Sequence, residues 1–264
     1  MNTKSAKAKP ATARPVAMTS TIRCLRVLEL LAEEPFEVSL SDLGSRLAIP
    51  RPSVHRLCAT LIEAGLIEQD PRTRRYSLTT KALWIGSGYL RHSAVYRAAF
   101  FPMQELAKVT PGTAQLGVID GGRVLFIHSV GSPGSPHAFA DVGLRREFHA
   151  TASGKIFLAA MSSSEIERIM SSHCKKYTER TITSIESMKK ELAHVRQKKY
   201  AINVEELLTG FWVIAAPVLA RDGRTVAAIS LTLAMEHFTP ENETRYAALV
   251  SQAADKSSIQ IGHH

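Results

Sequence analysis

The 264-residue chain has no apolar run that approaches the roughly 18 to 20 uncharged residues of a membrane span; Phe211 to Ala220 is among its longest. No part of it is expected to cross a bilayer. Cysteine is scarce too. Cys24, Cys58 and Cys174 are odd in number and far apart, without the CxxC spacing of a zinc site or a redox motif, which fits a reducing cytoplasm. Neither a metal nor a cofactor is expected. Acidic residues are missing from the first 20 positions, where Lys4, Lys7, Lys9 and Arg14 stand unopposed.

What remains is an ordinary globular composition, 45% apolar and 22% charged, at a length that suits two domains and excludes fibrous or wholly disordered architectures. Thirty-three basic against 24 acidic residues give a net charge of +9, the direction expected of a protein that binds a polyanion. The excess is concentrated near the amino end. Arg14 and Pro15 interrupt the apolar core that a secretory signal would need, so residues 1–18 read as a disordered basic arm, either a solvated tail or a DNA-touching one. A mitochondrial presequence is the rival reading.

From Ser20, Ile22, Leu25, Leu28 and Leu31 recur at helical spacing until Pro35 forbids continuation. Ser39 followed by Asp42 starts a second, short helix with Leu40, Leu43 and Leu47 on its apolar side, ending near Ala48. After Ile49-Pro50-Arg51, Pro52 suits the first turn of a third helix, whose buried side is Val54, Leu57, Cys58 and Leu61. Two helices joined by a tight turn, then a stop at Glu63-Ala64-Gly65 and a strand at Ile67, match helix-turn-helix spacing. Arg51, Ser53, His55, Arg56 and Thr60 lie on the polar side of the third helix, mostly in the two turns that a recognition helix inserts into the major groove. The turn Asp70-Pro71-Arg72-Thr73-Arg74-Arg75 between strand-like runs reads as a wing that lays Arg72, Arg74 and Arg75 along phosphates or into the minor groove.

The run from Leu40 to Leu57, continued by Ala64-Gly65-Leu66-Ile67 and Arg75-Tyr76-Ser77-Leu78, resembles the winged helix-turn-helix of the isocitrate lyase regulator (IclR) family of bacterial transcription factors. Ala48 stands where that family commonly has glycine. A left-handed alanine is costly, so a turn of another type is expected there.

Lys81 to Leu90 and Ala94 to Lys108 read as connecting helices, able to carry a domain linkage and a dimer contact or to pack onto their own domain. Beyond Pro111-Gly112 the pattern alternates. Ala114 to Ile119 and Val124 to Val130 form a hairpin around Asp120-Gly121-Gly122, and Phe211 to Leu219 with Thr225 to Leu233 form a second around Arg221-Asp222-Gly223. A short strand is expected near His137 to Ala140, and helices over Thr151 to Met161, Ser164 to His173, Ser184 to Lys199 and Pro240 to Ile259. The fold class is therefore α+β: an N-terminal winged helix-turn-helix domain over residues 19–80, linker helices over 81–110, and a C-terminal GAF-like α/β effector-binding domain over 111–264.

The string His149-Ala150-Thr151-Ala152-Ser153-Gly154-Lys155 is neither a Walker A loop nor a helical SxxK nucleophile, but a loop entering a helix whose free N–H groups can bind a carboxylate. With Glu205-Glu206, Gly210, Ala215-Ala216-Pro217-Val218 and Ala227-Ala228-Ile229-Ser230, it is similar to the effector-binding domain of the same family. The resemblance implies a ligand cavity at Ala152, Ser153, Asn203, Val213, Ser230 and Thr232, where Asn203 replaces a common aspartate and Val213 a common cysteine. The loss of a carboxylate relieves repulsion of an anion, and the Asn203 amide can donate to it, which points to a small carboxylic acid effector. Phe211 and Trp212 alternate in facing; if one lines the cavity, as Phe211 is taken to do, an aromatic acid is favoured.

These readings make the chain a ligand-responsive, sequence-specific repressor or activator of a catabolic operon. It would bind double-stranded operator DNA as a homodimer, with a tetramer on DNA and contact with RNA polymerase as open options. The competing class is a hydrolase-like enzyme using His149, Ser153 or Cys174; a third is a constitutive architectural DNA-binding protein.

Overall fold

In a computed structural model the chain is described over residues 19–34, 36–132, 135, 142–171 and 174–262. The basic arm at 1–18, Pro35, His173 and the strand expected near His137 to Ala140 lie outside these residues. The described residues divide into two compact units, with the boundary between Gly86 and Ser87.

The first unit contains α1 (Thr19–Glu33), α2 (Leu40–Leu47), α3 (Arg51–Glu63), β1 (Ile67–Gln69) and β2 (Tyr76–Leu78). Val27, Leu31, Leu43, Val54, Cys58, Leu61 and Ile67 form its core. Ser39 caps α2 by accepting the Asp42 N–H at 3.1 Å. Ala48 overturns the expected turn. It is left-handed, with φ 52° and ψ 43°, and the Ile49 N–H reaches back to the Gly44 carbonyl at 3.0 Å. Those helix-end bonds hold a conformation that alanine alone disfavours. In the antiparallel wing Gln69 faces Tyr76, and Tyr76 is also bridged to Val38 from the segment before α2, a pairing with no sequence signal.

The helix α4 (Thr80–His92) spans the division between the units and has no buried residue. The second unit continues with α5 (Ala94–Lys108), β3 (Thr113–Asp120), β4 (Arg123–Gly131), β5 (Arg145–Arg146), α6 (Ala152–Ala160), α7 (Ser163–Ser171), α8 (Ile185–Lys198), β6 (Ala201–Val204), β7 (Phe211–Leu219), β8 (Thr225–Ala234) and α9 (Pro240–Ile261). Among the described residues its strands form one antiparallel sheet in the order β5-β4-β3-β8-β7-β6. The β3–β4 turn places Gly121 and Gly122 at φ 56° and 83°, the backbone of a tight hairpin that glycine adopts freely.

Strand alternation divides the sheet into unlike faces. Toward α5 and α9 it presents Ala114, Leu116, Trp212, Ile214, Val218, Ile229, Leu231 and Leu233, closed by Met103, Leu106, Tyr246 and Val250. On the other face, helices α6, α7 and α8 cover Val124, Phe126, Ala215 and Ala228. There β3, β7 and β8 carry the short or polar Thr113, Gln115, Gly117, Val213, Ser230 and Thr232, so the helices cannot fill the layer. A pocket results. Among the described residues, no helix is long and apolar enough to cross a membrane.

Candidate functional site

Two features of the first unit carry polar chemistry. On α3, Val54, Cys58 and Leu61 are buried, while Arg51, His55, Arg56 and Thr60 are exposed and Ser53 is half-buried. The polar side predicted from spacing is thus turned outward. In the wing loop the Asp70 carboxylate accepts the Arg72 and Thr73 N–H groups at 2.8 and 2.6 Å; these bonds hold its pKa below the usual range. Arg72 and Arg74 are exposed, and Arg74 is left-handed at φ 59°. Arg75 differs: its guanidinium donates to the Glu37 carbonyl at 3.1 Å, so this arginine braces the wing.

The pocket of the second unit is lined by Gln115, Phe126, Ala150, Thr151, Ala152, Ser153, Asn203, Leu207, Leu208, Phe211, Val213, Ser230 and Thr232. All seven residues inferred as effector contacts, Ala152, Ser153, Asn203, Phe211, Val213, Ser230 and Thr232, stand in this wall. Cross-strand pairing assembles them, since Val213 lies between Asn203 on β6 and Thr232 on β8, while Gln115 faces Ser230. The opposite wall is the start of α6. Thr151 caps that helix by accepting the Gly154 N–H at 3.0 Å. Gly154 is required by space: a Cβ there would lie 2.1 Å from the Phe148 carbonyl oxygen, so only glycine lets α6 approach the turn at Phe148–Ala150.

Among the described residues, none that lines the pocket is acidic, basic or a histidine. The hydroxyls of Ser153 and Thr232, in residues 1% and 0% exposed, have no hydrogen-bond partner. A buried hydroxyl without a partner is costly, and such groups belong where a ligand completes them. Asn203 is partly committed within the protein. Its amide donates to the Ala150 carbonyl at 2.7 Å and its carbonyl oxygen accepts the Glu206 N–H at 3.1 Å, so half of its bonding capacity holds the pocket together. Phe211 lines the pocket, whereas Trp212 packs edge-on against Phe238 in the opposite layer and donates to the Ala234 carbonyl at 3.1 Å.

Sequence reasoning missed Gln115, Phe126, Leu207 and Leu208. The alternating run through β3 marked Gln115 as facing opposite to Leu116, but nothing local indicated which face held the pocket. Leu207 and Leu208 come from an irregular segment without periodicity.

The groups named for an enzyme do not form catalytic machinery. His149 Nε2 meets the Lys175 carbonyl at 2.9 Å, and Ser153 Oγ touches no base. Burial, reinforced by Glu147, pushes the Cys174 thiol up, away from the thiolate that a nucleophile needs.

The chain matches the family model described as IclR helix-turn-helix domain over residues 20–71 and that of the bacterial transcriptional regulator IclR C-terminal domain over residues 87–259. It is 31% identical over 252 residues to the HTH-type transcriptional regulator KdgR of Escherichia coli K12, covering 95% of each chain. An IclR transcriptional regulator from Alicyclobacillus acidocaldarius is 28% identical, with a TM-score of 0.83 over 93% of this chain and 99% of that one. A homologue from Microbacterium hydrocarbonoxydans, solved with 4-hydroxybenzoate, is 22% identical, with a TM-score of 0.78 over 92% and 99%.

Proposed function

Since this chain belongs to the IclR family of bacterial transcriptional regulators, which are not enzymes, we propose that it senses a small carboxylic acid in the pocket between α6 and the sheet. The observation that carries this reading is the pair of unpartnered hydroxyls, Ser153 and Thr232, in an uncharged pocket beside the first turn of α6. The first-turn N–H groups of a helix lack intrahelical partners and lie at the positive end of its dipole, so they can receive a carboxylate without a basic side chain. Phe211 and Phe126 in the wall favour a planar, aromatic acid over an aliphatic one.

DNA is read by the winged module, with Arg51, Ser53, His55, Arg56 and Thr60 entering the major groove and Arg72, Arg74 and Arg75 following the backbone. The exposed Leu83, Trp84 and Ile85 of α4 support a homodimer that brings two modules to a pseudo-palindromic operator of a catabolic operon. The effector acts through unequal affinity for DNA-competent and DNA-incompetent dimers.

Thermal-shift screening of the wild type and Thr232→Val against benzoate, 4-hydroxybenzoate and short aliphatic acids at millimolar concentration tests the pocket. Stabilisation of the wild type by one acid, weakened in the variant, is expected. No stabilisation by any acid, or equal stabilisation of both proteins, would count against it.

A further inference from the structure

Lys155 ends the string that leads into α6, yet does not line the pocket. It is 1% exposed. Its ammonium has three N–H donors and meets three acceptors: Glu206 Oε1 at 2.6 Å, the Ile202 carbonyl at 2.8 Å and Glu191 Oε1 at 2.9 Å. It therefore ties β6, α8 and the segment 205–210, between β6 and β7, to the helix that forms one wall of the pocket. That segment places Leu207 and Leu208 in the wall. Two left-handed residues bound it, Glu205 at φ 56° and Gly210 at φ 84°, and the Gly210 N–H closes back on Glu205 Oε1 at 2.8 Å. Leu208, Thr209 and Gly210 are exposed, so the outer half gains little from burial. The Thr178 and Thr181 hydroxyls bond the Glu205 and Glu206 carbonyls at 2.7 Å each, but the segment's buried charged anchor is the Glu206 side chain.

We propose that Lys155 is a positioning residue of the effector pocket, latching the segment 205–210 over it through Glu206. The inference rests on the reading of this pocket as the effector site. Separating a buried ammonium from its carboxylate strands charge in a poorly solvated place, so the latch restrains opening strongly. Glu191 makes a built-in contrast. It meets the same ammonium, but it belongs to α8 and its side chain is 28% exposed.

Hydrogen exchange of the ligand-free full chain, read by mass spectrometry, tests the latch without an effector. Glu206→Gln should speed exchange of the peptide covering 204–211 by about tenfold while peptides from β8 and α9 stay as in the wild type. Glu191→Gln should leave the 204–211 peptide near the wild-type rate, although it too removes a charge beside Lys155. If the single variant at 206 proves too unstable, Lys155→Met/Glu206→Met removes both charges while keeping the site filled, and must show the same local acceleration. Equal acceleration by the two single variants, acceleration spread evenly over 87–262, or an unchanged 204–211 peptide would overturn the proposal. Failure to find an effector would leave this result standing, and loss of the latch would leave the effector screen standing.

Discussion

The Asn203 amide and the Ala150 carbonyl, 2.7 Å apart, join β6 to the turn that leads into α6, and the same side chain accepts the Glu206 N–H. An aspartate would keep the second bond and turn the first into a contact between two acceptors. Asn203→Asp should therefore lower the unfolding free energy of the second unit by about 1 to 3 kcal/mol at pH 7. The deficit should shrink as pH falls, because a protonated carboxyl regains a donor for the Ala150 carbonyl. Denaturant titrations of both proteins at pH 7 and pH 5 check this; a deficit independent of pH would sink the explanation.

Thr232 presents the opposite case, a hydroxyl buried at 0% exposure without a partner. Thr232→Val removes an unsatisfied polar group at nearly constant shape, so the ligand-free protein should gain up to about 1 kcal/mol while its response to an acid declines. A scan of melting temperature with and without the best acid separates the two effects. A variant that is less stable and still responds fully would contradict both halves of the prediction.

Most of this site is legible only through the family resemblance, which points to Ala152, Ser153, Asn203, Val213, Ser230 and Thr232 together. Strand alternation alone says that Ser230 and Thr232 share a face, that Phe211 and Val213 share one, and that Phe211 and Trp212 do not; which face holds a pocket, and how the two strands register, is not local information. For Asn203 there is no local signal, since β6 is a four-residue strand without a periodic pattern and its pairing beside β7 is tertiary. Lys155 and Glu206 are 51 positions apart, and their pairing is purely tertiary. In the first unit, helical spacing and the Ser39 cap signalled α1 to α3, whereas Ala48 misled because propensity there yields to the bonds that close the end of α2.

That yielding has a measurable cost. At φ 52° alanine is disfavoured relative to glycine, so Ala48→Gly should stabilise the first unit by about 1 kcal/mol, an amount set by the steric penalty less the extra entropy of an unfolded glycine. Denaturation followed by a probe within residues 19–80 is the appropriate measurement. A destabilised variant would mean that the Ala48 methyl makes contacts worth more than the strain.

Arg56 and Arg74 are both exposed, but one lies on α3 and the other at the wing tip. Arg74→Ala should weaken binding to all DNA sequences and reduce the salt slope by about one, as expected for a phosphate contact. Arg56→Ala should chiefly relax discrimination at particular base pairs. Arg75→Ala should also disturb the wing itself, through loss of its bond to the Glu37 carbonyl. Salt titrations on operator and non-operator duplexes distinguish these roles, and identical behaviour of the three variants would erase the division.

His128 supplies the pH test. Its ring stacks on Phe100 at 5.4 Å and meets Tyr96 edge-on at 5.2 Å, with Nε2 buried and without a partner. Burial holds its pKa below the ordinary 6.5. The unfolded chain therefore takes up the proton before the folded protein does. The stability tied to this site is intact above the unfolded value and is lost as pH falls through it toward the folded value. His128→Phe retains an aromatic ring and abolishes the titration, so the drop in melting temperature between pH 7 and pH 5 should be smaller in the variant than in the wild type. Parallel pH profiles would show that the ring accepts its proton in the folded state as readily as in the unfolded one, contrary to the burial of Nε2.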